Sequence, residues 1–350
     1  MSKEAVPNNL YASIAHLLRI ARQTVARAVN QTMVHTYYEI GRMIVEDEQQ
    51  GKERAAYGKQ VLKELSKKLT QDFGRGFSVE NLDRMRFFYK TYSQANSSTA
   101  LTKSEQTENQ IAARLLPEFN LSWSHYLKLM RIENPDERRF YEIECAANNW
   151  SLKELQRQYN SALYERLALS RDKEGIKQLA EKGQIIQKPL DFLKDPYVLE
   201  FLDLPEQHQY AESDLETAII DKLEHFLLEL GKGFTFVARQ YRMTIDEKHF
   251  KADLVFFNRL LKCFVVIDLK IGELTHQDIG QMQMYVHYHD RQVKLPDENK
   301  TIGIVLCKSN SETLVKLTLP EDNNSIFASR YQTILPDKQT FIQLLNEIEA

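Results

Sequence analysis

Residues 249–285, HFKADLVFFNRLLKCFVVIDLKIGELTHQDIGQMQMY, constrain the fold more than any other stretch of the chain. Two apolar runs, ADLVFF and CFVVIDL, flank a short polar turn, NRLLK, the pattern of paired strands. Each run carries one aspartate, Asp253 and Asp268, where a purely structural core strand carries none. Lys270 follows Asp268 at a spacing of two, so both side chains leave the same face of an extended strand. The VVI before this pair predicts a central strand covered on both faces, which fits poorly with a surface ion pair. Two carboxylates and an amine on one sheet face are costly to desolvate without compensation, most simply from a divalent cation. The stretch therefore predicts a metal-dependent site in which Asp253 and Asp268 are ligands and Lys270 stabilises developing charge.

A third acid is expected from the helix predicted over residues 213–231. At roughly 100° per residue, Leu215, Ile219, Leu223, Phe226 and Leu230 define an apolar arc that contains Glu216, whereas Glu224 falls outside it by roughly 40°. Glu216 is thus the better third ligand, although Ser213 and Glu216 also have capping-box spacing. Gln281 and Tyr285 lie four apart on the helix predicted around 275–290 and share a face, from which Gln281 could reach water or phosphate and Tyr285 nucleic acid. His287 and His289 are turned roughly 200° apart on that helix and cannot chelate one ion together. With His276, they read as surface histidines.

The periodicity divides the chain in two. Residues 10–70 recur at helical spacing, Ser78 can cap a helix VENLDRMRFFYKTY, and LSWSHYLKLMRI, DERRFYEIECAAN and SLKELQRQYNSALYERL read as three more helices. Residues 93–110, polar and with few aliphatics, read as a loop or poorly ordered connection. The prolines of 171–212 argue against one long helix and mark a boundary. The expected organisation is a helical domain over 1–170, a connecting segment over 171–212, and an α/β domain over 213–350 with αβββαβ order and a mixed sheet.

Charge is unevenly spread. Lys and Arg number 24 against 20 Asp and Glu in residues 1–170, and 22 against 29 in 171–350. On the helix after Ser78, Arg84, Arg86 and Lys90 interleave with Phe87, Phe88 and Tyr89, so this helix could meet phosphates or bury its aromatics in a core. Arg114 and Arg131 extend the basic set. Three widely spaced cysteines with no CxxC pair suggest neither a disulfide framework nor a zinc site. No signal core or membrane-length apolar run is seen, and the expected setting is the cytoplasm, with no membrane partner.

At Asp253 and at Asp268-Leu269-Lys270 the chain resembles the PD-(D/E)xK nuclease superfamily, with Ala252 in place of the name-giving proline. More closely it resembles the bacterial YhcG-type family, through LELGKGFTFVARQYR, the ADLVFFNRLLKCFVVIDLK hairpin and GQMQMYVHYHD. In the N-terminal half the likeness runs through YYEIGRMIVEDEQQGKERAAYGKQVLKELSKKL, FGRGFSVENLDRMRFFY, LSWSHY and NNWSLKELQRQ. The resemblance implies an all-α N-terminal domain followed by a restriction-endonuclease-like α/β domain, with Mg²⁺ or Mn²⁺ and a nucleic-acid substrate, DNA first. It implies that Glu216 matches the family's first-helix acid and Gln281 the glutamine of the following helix. The expected function is a metal-dependent nuclease. The alternatives are a catalytically inactive nucleic-acid-binding or scaffold protein that keeps the fold, and a homodimer formed through the N-terminal helices.

Overall fold

The computed structural model describes residues 8–50, 55–97, 119–169, 171, 173–204 and 210–349. The chain divides between Leu155 and Gln156 into two units.

The first unit is helical. It contains α1 (Asn8–Gln50), α2 (Ala55–Phe73), α3 (Val79–Ser97), α4 (Trp123–Leu129) and α5 (Pro135–Asn148), and the division falls within α6 (Leu152–Asn160). Ser78 Oγ accepts the Asn81 backbone N–H at 3.3 Å, the cap expected for α3. α1 crosses α3 where Gly41 stands: a Cβ there would lie 2.1 Å from the Met85 carbonyl oxygen, so only glycine permits the approach. Ile44, Leu62, Leu82 and Met85 form one apolar cluster. Phe88, fully buried, is ringed by Tyr38, Tyr92, Phe119, Trp123 and Tyr126 at centroid distances of 4.9–5.9 Å. Phe87 stays exposed, so α3 gives one of its two adjacent phenylalanines to the core.

The second unit holds α7 (Leu163–Ala168), α8 (Lys173–Lys182), α9 (Glu212–Asp221), α10 (Leu223–Leu230), α11 (His276–Tyr288), α12 (Glu312–Thr318) and α13 (Lys338–Glu349). Its six strands are β1 (Tyr197–Val198), β2 (Phe234–Ile245), β3 (Lys248–Asn258), β4 (Cys263–Leu269), β5 (Ile302–Cys307) and β6 (Ile326–Gln332), ordered β1-β6-β5-β4-β3-β2 in one mixed sheet. β2, β3 and β4 pair antiparallel, while β4, β5, β6 and β1 run parallel. On one face Leu254, Phe256, Ile267 and Leu269 pack with Leu215, Ile219, Phe226 and Leu230 of α9 and α10. On the other, Val255, Val266 and Val305 pack with Ile279, Met282 and Val286 of α11. β4 is therefore apolar at both parities because it is covered on both faces, as its VVI predicts.

Several expectations need correction. The helix expected over 213–231 is two helices broken at Lys222, whose ammonium is drawn to the Phe201 carbonyl at 2.6 Å and to Asp203 at 2.5 Å. The helix expected through SLKELQRQYNSALYERL breaks at Ala162, which adopts φ 52°. There Arg166 Nε donates to the Ser161 carbonyl at 2.8 Å, and its Nη1 reaches Glu229 at 2.6 Å, so a buried ion pair overrides local helix propensity. The sequence pattern also missed β1 and β6. β1 is two residues long and exists through its pairing with β6, and β6 carries Ser329 and Arg330 at its centre.

Candidate active site

The site forms where β3 and β4 separate. Their ladder runs from Asn258 opposite Cys263 to Leu254 opposite Ile267. The next residues along would be Asp253 and Asp268, and here the strands fork. Asp253 Oδ2 instead accepts the Leu269 backbone N–H at 2.8 Å, and the Lys270 N–H goes to the Leu306 carbonyl of β5 at 2.8 Å. Two aspartates thus face each other at the mouth of the fork, one on each strand end.

Asp268 is 2% exposed. Burial pushes its carboxyl up to about 7, the charge of Asp253 adds to the rise, and Lys270 opposes it. Lys270 Nζ lies 2.9 Å from Asp268 Oδ2, so the two residues do share a strand face. The contact is a close, largely buried ion pair. Glu212 Oε2 lies 3.5 Å from the same ammonium. Burial works against the charge on Lys270, but Asp268 and Glu212 overcome it and hold the ammonium above the ordinary lysine range.

Glu216 comes from α9 and is 5% exposed, whereas Glu224 is exposed, as the apolar arc predicts. The capping alternative for Glu216 does not form, because Asp214 accepts the Ala211 N–H at 2.8 Å and closes the start of α9. Glu216 reaches Asp253 through a residue that the sequence pattern missed. Gln240 Nε2 donates to Glu216 Oε2 at 2.6 Å and to Asp253 Oδ1 at 3.1 Å. Gln240 has φ 49° just beyond a register shift between Phe236 and Ala238. A signal for it exists in the sequence: apolar alternation at Phe234 and Phe236 changes parity to Tyr241 and Met243, which a bulge requires. Glu212 was also missed, and its signal is the spacing of four before Glu216 on one helix. Arg239 Nε stands 3.3 Å from Glu216 Oε1.

Gln281 and Tyr285 do share a face of α11. The Gln281 amide donates to the Tyr285 hydroxyl, which in turn donates to the Lys251 carbonyl at 2.8 Å, two residues before Asp253. Tyr285 is fully buried, so it is not the surface contact for nucleic acid expected of it; it anchors Gln281 to β3. Burial raises its hydroxyl above the usual tyrosine range, and the charges of Asp268 and Asp253 add to this. α11 lies close to the sheet because Gly303 of β5 has no Cβ to meet Met282 Sδ, which would stand 2.5 Å away. His276 and His287 are exposed as expected, but His289 is fully buried. Its Nδ1 donates to the Tyr285 carbonyl at 2.9 Å, and its ring packs on Tyr241 and Phe264.

The donors fit a hard divalent cation. Two carboxylates meet at the fork, one so buried that it holds its proton up to about pH 7. The buried oxygens Asp268 Oδ2 and Glu216 Oε1 each already face a cationic side chain, Lys270 at 2.9 Å and Arg239 at 3.3 Å, so this corner of the fold is built to hold negative charge against positive. Among the described residues, however, no three His, Cys, Asp or Glu side chains converge on one point, because the Gln240 amide stands between Glu216 and Asp253. The pair Asp253 and Asp268 is therefore the candidate ligand set, with Glu216 one hydrogen-bonded step away.

The basic residues expected to meet nucleic acid belong to the first unit and differ in availability. Arg84 pairs with Glu80, and Arg86 lies 2.7 Å from Glu48 and 2.5 Å from Asp83. Lys90 and Arg131 are exposed, and Arg114 lies outside the described residues. No helix among the described residues is long and apolar enough to cross a membrane, and all three cysteines are free and buried.

Residues 190–346 match the YhcG PDDEXK nuclease domain, and residues 13–166 match the DUF1016 N-terminal domain. The chain is 39% identical over 357 residues to the protein named "Putative nuclease YhcG" of Escherichia coli (strain K12), covering 97% of this chain and 94% of that one. Among solved structures, a repair endonuclease from Pyrococcus abyssi aligns at 17% identity and a TM-score of 0.24, over 38% of this chain and 50% of its own. EndoMS in its apo form aligns at 17% identity and a TM-score of 0.24, over 37% and 49%.

Proposed function

The chain belongs to the YhcG family, which joins a DUF1016 N-terminal domain to a PD-(D/E)xK nuclease domain, and from that premise we propose that it hydrolyses phosphodiester bonds in DNA with the aid of Mg²⁺ or Mn²⁺. One observation carries the reading: Asp253 and Asp268 face each other where β3 and β4 fork, with Lys270 Nζ 2.9 Å from Asp268. A purely structural sheet has no need to hold two acids and an amine beside a buried strand.

In this reading Asp253 and Asp268 hold the ion, which supplies Lewis acidity and a more acidic water. Lys270, steadied by Asp268 and Glu212, offsets charge that builds on the phosphoryl oxygens as the bond breaks. Gln240 fixes the orientation of Asp253 and ties it to Glu216, as outer partners of ligands commonly do. Gln281, anchored through Tyr285 to Lys251, is a polar group from the neighbouring helix available to water or phosphate. The first unit, through Lys90 and Arg131, contributes phosphate contacts.

The test is cleavage by the full chain of duplex, branched and single-stranded DNA, and of RNA, with Mg²⁺, Mn²⁺ or EDTA. Cation-dependent cutting of DNA that disappears in Asp268→Ala and Lys270→Ala, with circular dichroism unchanged, is the expected result. Equal cutting by those variants would overturn the assignment. Tight binding without cleavage under every cation would favour the inactive, binding-only alternative.

A further inference from the structure

The first 25 or so described residues of α1 project an apolar stripe that their own unit does not use. Tyr11, Ile14, Leu18, Ala21, Val25 and Ala28 follow one another at spacings of three, four, three, four and three, which is a heptad seam. All six are exposed, and Leu10, Leu17 and Val29 widen the stripe. The side of α1 that docks on its own unit lies elsewhere. Arg27 donates to Asn149 at 2.6 Å and Gln31 to Asn120 at 3.0 Å, and these two are in line with the buried Val34, Tyr38 and Val45 further along the helix. At 100° per residue that docking face is on the order of 130° around the helix from the seam. The stripe is therefore not an extension of the core face.

We infer that this seam pairs with the same seam of a second copy of the chain, giving a homodimer held by a two-helix coiled coil. Three features support a second copy. The spacing is that of coiled coils, with alanines at alternate core positions that let two backbones approach. Charge does not oppose self-pairing, because Arg22 is the one charged residue beside the seam and Arg19 and Arg27 point away from it. The area also suffices. Leu10, Tyr11, Ile14, Leu17, Leu18, Val25 and Val29 are each 48–68% exposed. At on the order of 100 Å² apiece the pair would bury about 1,400 Å², the size of a stable interface. The share on one chain, about 700 Å², is larger than the patch monomers ordinarily expose.

The test is sedimentation equilibrium of the full chain at tens of micromolar. The expected mass is twice the 40.9 kDa of one chain. Leu18→Lys with Val25→Lys, both at exposed seam positions, should return it to one chain with unchanged circular dichroism. His16→Lys, which places one added lysine off the seam, should stay paired. A one-chain mass for the parent, a two-chain mass that survives the double lysine variant, or dissociation by His16→Lys would each overturn the pairing.

Discussion

Gln240 holds Asp253 by a 3.1 Å hydrogen bond from a backbone position with φ 49°, so the orientation of a carboxylate on β3 depends on a distortion of β2. The same amide is 2.6 Å from Glu216, so it links the α9 acid to the strand acid. Gln240→Leu removes both bonds and leaves Glu216 buried beside Arg239 alone. Cleavage is expected to fall about 10–100-fold, the usual effect of losing an outer partner of a metal ligand. The double variant Glu216→Gln, Gln240→Leu should lose little more than either single one, because both act through one contact. Additive losses in single-turnover rates would show that Glu216 acts independently.

Asp268 trades stability for charge. Burial and then Asp253 raise its carboxyl to about 7 in the folded chain, from an ordinary aspartate value when unfolded. A raised acid binds its proton more tightly in the folded state. Its contribution is fully present below the unfolded value, near 4, and is lost as pH rises through about 7. The cation-free protein should therefore melt at a lower temperature at pH 8 than at pH 5. Asp268→Asn should flatten that slope, gaining on the order of 2–4 kcal/mol at pH 8 relative to the parent. Thermal melts in EDTA across this range provide the check, and an unchanged slope in Asp268→Asn would place the titration elsewhere.

Glu229 shows the opposite balance. It is completely buried, which alone would raise its carboxyl, but Arg166, Lys194 and Arg157 overcome the penalty and hold it down at about 2. Arg166 Nη1 lies 2.6 Å and Arg157 Nη2 3.2 Å from its oxygens. Its stabilising effect is complete above the unfolded value and is lost as pH falls toward 2. Glu229→Ala leaves two guanidinium groups without their buried partner, and the expected loss is about 3–5 kcal/mol in urea unfolding, with no direct effect on the site. A loss below about 1 kcal/mol would mean that solvent reaches the cluster.

These cases show which parts of the structure were legible in the sequence. Asp253, Asp268 and Lys270 were readable because an acid inside an apolar strand run conflicts with its surroundings, and the conflict is visible locally. Glu216 was readable because the arc of Leu215 and Ile219 lies before the break at Lys222, so straight-helix geometry holds there. Gln240 was not, since its role comes from a bulge that shows in sequence only as a parity change. The breaks at Lys222 and Ala162 escaped for a common reason: the contacts made there, Lys222 to Asp203 and Arg166 to Glu229, are to residues outside the local sequence pattern. His289 read as a surface residue because its covering, Tyr241 and Phe264, comes from other strands.

The basic residues of α3 divide by their partners. Arg86 is held by Glu48 of α1 at 2.7 Å and by Asp83 at 2.5 Å, and Arg84 by Glu80, so their charge is spent within the unit. Lys90 and Arg131 are exposed. Arg86→Ala is accordingly expected to cost about 1–2 kcal/mol of stability, since it joins α3 to α1, while leaving DNA affinity nearly unchanged. Lys90→Ala and Arg131→Ala should do the reverse, each weakening binding to every DNA sequence alike. Each should also reduce the slope of log affinity against log salt by about 1, the signature of one lost phosphate contact. Fluorescence anisotropy over a salt series in EDTA, where binding is separated from cleavage, measures both quantities. An unchanged slope in Lys90→Ala and Arg131→Ala would mean that the first unit holds nucleic acid by another face.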